Sequence, residues 1–426
     1  MTLDTFRKVL DQLSEPVCCE GNAPITERLA VALPDGDLGA IDDPGFVKWL
    51  VAHGEVAPFG HGGKTRVDAK VRQAHRLVAR GKASVGGFDP QTVLGEIEAA
   101  LSPREHLDAA LTDVLVYPAG GHFARHKDTP RDADLVGTLV VGLPIEHTGG
   151  AFKIADRVID WSGKPDPAQL RWVALFGDVD HEVTPVESGS RVTLVYSLSR
   201  SNRLREDPER DALMAKLSKA IELPSGTLMI ACARQIIAET ATKAAVQSID
   251  TLRGLDREIA DVLVEGGFDV VVRPCVAASE SDSAFGAYSI ARLKAPLPPK
   301  VIAKMEDTVT FGDSANYDGE DMSEHATCLA PYILDHVPIE RWVIRKAAGA
   351  TLIHEAEMFS DDGYFGNEGY EAHIYTLAAL EVTSGRRAAP KKKPAATKPA
   401  AKKKSAPAKK KPAAKNPSTK KSARKR

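Results

Sequence analysis

Cysteine is scarce in this chain: 426 residues hold five, Cys18, Cys19, Cys232, Cys275 and Cys328. The count is odd and no pair has Cys-x-x-Cys spacing, so neither a disulfide framework nor a zinc site is suggested, and a reducing compartment is expected. Long apolar runs are also missing. The longest, near Leu135 to Ile145, is broken by Gly137, Gly142 and Pro144. It is too short to span a bilayer and reads as a buried strand. The opening residues, Met1 to Lys8, lack the charged-then-apolar order of a signal peptide. The expectation is a cytoplasmic protein with no membrane partner.

Acidic residues are missing from one end. From Val382 to Arg426 there are 18 Lys and Arg and no Asp or Glu. Of the chain's 56 basic residues that leaves 38 against 58 acidic ones over residues 1–381, a net charge of -20. The overall charge of -2 therefore averages an acidic body with a basic tail. That body, in a chain 43% hydrophobic, is large enough for one big domain or two ordinary ones.

Residues 1–110 read mostly as helix. Leu3, Phe6, Val9, Leu10 and Leu13 recur at helical spacing. Asp43-Pro44 can start a helix burying Phe46, Trp49 and Leu50, and further helices are predicted from Val67 and from Asp89-Pro90. Ser102 to Ala110 also looks helical. From Leu111 to Arg200 the pattern changes to short apolar runs divided by Gly, Pro and Asp, which suggests a β-sandwich or jelly roll. Residues 201–382 alternate between helix and strand, an α+β accessory unit with a loop-rich insertion at 307–325. Residues 383–426 are Lys, Ala, Pro and Ser in low-complexity order and are expected to be disordered.

Within the β-rich segment, His126 and Asp128 are two residues apart. On a strand they would project from one face. His181 follows 53 residues later. Two histidines and a carboxylate on one face of an octahedron, with the other face open, are the donor set of non-haem Fe(II) oxygenases. The spacing alone is weak evidence, because His106-Leu107-Asp108 repeats it. A helix would keep that second pair apart, whereas His126 sits among strand-like segments after a Pro-Ala-Gly-Gly turn. The plain alternative is a surface strand histidine beside a turn aspartate. His122 has the same parity as His126 and is a candidate beside the ligands.

Ten residues after His181, Arg191 opens a predicted strand. A guanidinium can hold a carboxylate through two parallel hydrogen bonds, as the distal carboxylate of 2-oxoglutarate would need. Thr193 shares its face and could add a hydroxyl. Tyr117 precedes His126 by nine residues and could donate its phenol to the same molecule. The alternatives are a surface arginine and a core tyrosine with a satisfied hydroxyl. Asp156, Asp160 and Trp161 would border the site mouth.

Together Tyr117, His126-Lys127-Asp128-Thr129-Pro130-Arg131, Gly137 to Pro144, His147-Thr148-Gly149-Gly150, Asp178 to Val183 and Gly189 to Leu194 resemble the prolyl 4-hydroxylase-like branch of the Fe(II)/2-oxoglutarate dioxygenases. The match is closest to a poorly characterised microbial and fungal group. Phe59 to Asp68 and Gly366-Asn367-Glu368-Gly369 extend it thinly over 1–381. The resemblance implies a double-stranded β-helix with iron on His126, Asp128 and His181, and 2-oxoglutarate on Arg191 and Tyr117. It implies that O2 is split between succinate formation, with loss of CO2, and hydroxylation of a C–H bond, with ascorbate as a plausible reductant. A prolyl residue of a protein is the family-level substrate, and fold alone is a weak warrant for it.

The tail carries lysine patches at Lys391, Lys392, Lys393, at Lys402, Lys403, Lys404 and at Lys409, Lys410, Lys411. Flexible lysine arms neutralise phosphates without reading sequence, and no aromatic is present for base stacking. Non-specific DNA or RNA is the expected tail partner. The alternative to an enzyme is a nucleic-acid-associated protein whose oxygenase fold binds or senses without turnover.

Overall fold

The computed structural model describes residues 3–10, 12–13, 16–61, 64–128, 134–220, 227–234, 246–279, 287–298, 300–301, 329, 331–343, 351–359 and 369–384. The insertion expected at 307–325, the segments Thr129–Arg131 and Gly366–Glu368, and the tail lysines lie outside them.

The protein is mostly β-sheet with few helices. An eight-stranded antiparallel sheet has Leu135–Gly142, Val186–Leu204 and Glu105–Pro118 at its centre. Gln169–Phe176 and Cys18–Pro24 extend it on one side, and His75–Val78 and Glu55–Val56 on the other. His147–Gly149 pairs onto the long strand Val186–Leu204. A five-stranded antiparallel sheet runs in the order Arg157–Ile159, Phe152–Ile154, His181–Val183, His122–His126, Arg72–Gln73. From Glu105 to Leu204 the chain passes repeatedly between the two sheets, so neither can form without the other. Val140, Val173 and Leu175 of the large sheet share one buried cluster with Phe123, Phe152 and Val183 of the small one. The result is a sandwich of the jelly-roll kind.

Helices cover part of the large sheet. In α3 (Gln91–Leu101), Val93, Leu94, Ile97 and Leu101 are buried at helical spacing, and the helix packs on Cys18–Pro24 and Glu105–Pro118. Its start matches the sequence signal: the Asp89 carboxylate accepts from the Gln91 amide at 3.0 Å. In α2 (Phe46–His53), Phe46 and Leu50 are buried as expected, while Trp49 lies half-buried against Gly39.

Two expected helices are strands. No helix begins at Val67; Arg72–Gln73 joins the small sheet and His75–Val78 the large one. Val71, Ala74 and Leu77 imitate helical spacing because the chain changes sheets at Ala74, which resets its parity. Ser102 to Ala110 is not helical either, because Glu105 opens a fourteen-residue strand. Register shifts between Glu105 and Leu107 and between Leu111 and Asp113 break its two-residue alternation and hide it from the sequence. Among the described residues, the helical reading of 1–110 thus reduces to three helices between strands.

The first of these, α1 (Leu3–Leu10), packs elsewhere. Phe6, Leu10 and Leu13 share a buried cluster with Met214 and Leu217 of α4 (Pro208–Ala220), with Leu255, Ile259 and Leu263 of α5 (Gly254–Glu265), and with Val272 and Leu380. The last two belong to a seven-stranded sheet built on Asp269–Ser279 and Gly369–Thr383. Helices and strands of residues 201–382 lie here, with α1 from the N-terminal segment packed among them, and residues 1–386 form one compact unit; we call this part the α+β unit. Arg273 and Arg292 both bond Glu381 across its strands. No helix among the described residues is long and apolar enough to cross a membrane.

Candidate metal centre

His126 ends one strand of the small sheet and His181 begins its neighbour, and the two are partners in register. Antiparallel partners project from the same face, so the imidazoles meet with ring centroids 4.2 Å apart. Asp128 follows just beyond the strand, its Oδ1 3.9 Å from His181 Nε2. One ligand atom from each of His126, Asp128 and His181 can be chosen so that all lie within 4.8 Å of one another. Among the described residues this is the one group of that kind.

The surrounding hydrogen bonds orient each donor. His126 Nδ1 donates to the Ala124 carbonyl and His181 Nδ1 to the Val179 carbonyl, each at 2.9 Å. A carbonyl only accepts, so each ring carries its proton on Nδ1 and presents a lone pair at Nε2. Burial, then the neighbouring His181, pulls His126 down to about 4, so it is neutral and ready to ligate at neutral pH. Thr138 donates to Asp128 Oδ2 at 2.6 Å and leaves Oδ1 toward the histidines. Phe123 stacks on His126 at 3.5 Å between centroids, and Phe152 meets His181 edge-on at 5.5 Å.

Thr138 also fixes which face of the large sheet looks at this centre. Four residues along the same strand, Gly142 is in register with Thr193. Two residues before Thr193 comes Arg191, in register with Tyr117. By the two-residue period, Thr138, Gly142, Thr193, Arg191 and Tyr117 share one face.

Arg191 is only 2% exposed. Its Nε and Nη2 are buried without a hydrogen-bond partner, as is Thr193 Oγ1. Burial lowers the guanidinium to about 10, which still leaves it cationic at neutral pH. Its Cζ lies 5.3 Å from the Trp161 ring, 5.7 Å from Tyr117 and 5.8 Å from Phe152. Gly150, at φ +71°, lets the backbone pass close: a Cβ there would meet Arg191 Cδ at 3.1 Å. Leaving a buried charge without polar partners costs several kcal/mol, and an anion is the class of group that would satisfy these donors. A cleft of about 230 Å³ reaches Arg191 between His147, Trp161, Gln169 and Arg171.

Other expected residues fall outside this constellation. His122 is held by backbone, its Nδ1 and Nε2 each 3.1 Å from the carbonyls of Gly120 and Lys70. The second His-x-Asp pair is on a strand after all, yet His106 Nδ1 contacts Glu98 and Asp108 lies beside Arg203. What disqualifies it is that its side chains turn to different partners and form no three-ligand group among the described residues, not a helical backbone. Asp156 is exposed, and Asp160 takes the Ser162 amide at 2.8 Å. Thr138 was overlooked as a site residue, although it is the one hydroxyl in the otherwise apolar strand Leu135–Gly142. His147 was also missed. It is buried, its Nδ1 bonds the Ile145 carbonyl at 3.0 Å, and its Nε2 has no partner.

No protein-family model and no curated protein match the chain. Solved structures do. An oxidoreductase of the 2OG-Fe(II) oxygenase family from Burkholderia pseudomallei is 15% identical over 48% of this chain and 95% of its own, with a TM-score of 0.26. A Pseudomonas putida prolyl-4-hydroxylase is 17% identical over 46% of this chain and all of its own, also at 0.26. A Trichoplax adhaerens prolyl hydroxylase is 15% identical over 46% of this chain and 91% of its own, at 0.25. These likenesses are partial, and the case for a metal rests on the side chains.

Proposed function

We propose that this chain is an Fe(II)- and 2-oxoglutarate-dependent dioxygenase that hydroxylates a C–H bond. The observation that carries the reading is Arg191, a buried cation with unpartnered donors, on the sheet face whose Thr138 holds Asp128. The donor set of two imidazoles and one carboxylate suits Fe(II) and leaves coordination positions open. The two-sheet core is then a double-stranded β-helix centred on residues 111–200.

His126 and His181 would hold iron through Nε2 and Asp128 through Oδ1. Arg191 would pair the distal carboxylate of 2-oxoglutarate through parallel N–H donors, with Tyr117 and Thr193 adding hydroxyls. When bound, iron supplies the O2 activation that yields succinate, CO2 and a hydroxylated product. Trp161, Phe152 and Phe123 keep water from the space between the anion site and the metal. A prolyl residue of a protein is the proposed substrate class, with ascorbate as reductant.

The test is iron-dependent succinate release from 2-oxoglutarate in the presence of cell extract, followed by a search for oxygen-dependent +16 Da products. No turnover above the His126→Ala background would overturn the reading. A second reading, a nucleic-acid-associated protein with an inactive fold, is favoured by one feature: 18 basic and no acidic residues in the last 45, on a body of net charge -20. Tight, salt-dependent DNA binding with no turnover on any pool would select it.

A further inference from the structure

The turn from Phe176 to His181 touches every part of the triad. It ends in His181 itself, and its Val179 carbonyl takes the His181 Nδ1 proton. A Cβ on Gly177 would lie 3.6 Å from Asp128 Cβ, so the turn backs the carboxylate ligand. Asp180 pairs with Arg125 and Lys127, the residues on either side of His126. A shift of this turn would therefore move two ligands directly and disturb the third.

One side chain of the turn pairs with a residue far along the chain. Asp178 lies 3.8 Å from Arg234 Nη1, and the two side chains are 7% and 6% exposed. Arg234 comes from outside the two-sheet core, after the strand Leu228–Ala231 of the α+β unit. Its Cζ is 4.0 Å above the ring of Phe176, at the other end of the same turn. Its backbone is fixed in turn: Asp256 of α5, 1% exposed, accepts from the Ala233 and Arg234 amides at 3.0 and 2.8 Å. Arg253, beside α5 and 3% exposed, adds a second cation within electrostatic reach of Asp178. Arg234 is thus held through its backbone, and losing one partner of a buried pair leaves the other charge stranded in the interior.

We propose that Arg234 is a positioning residue for the metal centre. By gripping Asp178 and Phe176 it sets the turn that aims His181 and backs Asp128, so the α+β unit is a structural part of the site. This rests on the reading of His126, Asp128 and His181 as metal ligands. Groups bonded directly to metal ligands commonly change metal affinity 10- to 100-fold, and here that group is the Val179 carbonyl, which the turn carries.

The experiment uses the full chain and Co(II), whose visible absorption reports ligand number and geometry. Wild type should bind one Co(II), and His181→Ala should not. If wild type fails to bind, the metal reading falls and Arg234 is not at issue. Given binding, Arg234→Met should weaken Co(II) about tenfold or more and alter the absorption band, and Arg234→Lys should restore part of the affinity. Asp178→Asn, which keeps the shape of the turn, should weaken Co(II) comparably. The double variant should be no worse than the weaker single, because the pair acts as a unit. If Arg234→Met does not fold, Asp178→Asn decides alone. Wild-type Co(II) affinity and spectrum in the folded variants, or effects of the two substitutions that multiply, would overturn the proposal.

Discussion

His126 and His181 face each other across adjacent antiparallel strands, each with Nδ1 turned back to the carbonyl two residues before it. The same local bond made twice leaves both Nε2 atoms directed at one point beside Asp128. Metal binding should therefore depend on all three side chains together. Titration with Fe(II) under anaerobic conditions, or with Co(II), should show one site in wild type. Asp128→Asn should lower affinity by at least a hundredfold, since a ligating carboxylate becomes a neutral amide. A variant that binds as wild type does would remove Asp128 from the centre.

Thr138→Val tests how the carboxylate is held. The substitution keeps the shape and deletes the 2.6 Å bond to Asp128 Oδ2. Metal affinity should fall roughly tenfold, in the range for such supporting partners. The apo protein should change by only about 1 kcal/mol in denaturant unfolding, the net worth of one hydrogen bond. A large stability loss with metal affinity intact would mean that Thr138 serves the fold and not the centre.

Arg191→Met should separate stability from function. It replaces a buried cation lacking partners at Nε and Nη2 with an apolar chain of similar length. Removing a poorly compensated buried charge is often stabilising by about 1–4 kcal/mol. The variant's apo melting temperature should rise, while protection by 2-oxoglutarate, a mass-action effect of binding the folded state, should vanish. A lower apo melting temperature would show that Arg191 is compensated inside the protein.

Gly150→Ala probes the same anchor from the backbone. Its φ of +71° disfavours a side chain, and the added Cβ would press on Val186 Cγ2 at 2.9 Å and on Arg191 Cδ. Stability should fall by about 1 kcal/mol or more, the usual cost of a strained residue. The KM for 2-oxoglutarate should rise, with Co(II) affinity near wild type because Gly150 touches no ligand. Equal losses in both would point to general unfolding.

How much of this was legible in the sequence follows from how local each signal was. The triad residues could be listed from their types and spacing, although Asp128 lies just past the strand that carries His126, while Arg191 and Thr193 follow strand parity. The role of Thr138 could not be read, because its bond to Asp128 crosses from the large sheet to the segment that follows a strand of the small one. The strand at Glu105 was missed because two bulges spoil its alternation, and the strands after Arg72 because a change of sheet mimics a helical period. The union of Asp178 with Arg234 joins residues 56 apart from different sheets, and no local pattern announces it. Helix α3 was legible because Asp89-Pro90 marks its start.

Arg191 gives the folded chain one more property. A cation enclosed by three rings and short of hydrogen bonds makes the protein less stable than its scaffold allows, and binding of the proposed dicarboxylate would return the missing stability. The half-life of this chain under protease should then track the supply of the proposed co-substrate, lengthening when 2-oxoglutarate is abundant and shortening when it is scarce. Metabolic state would be recorded in the amount of the protein as well as in its rate.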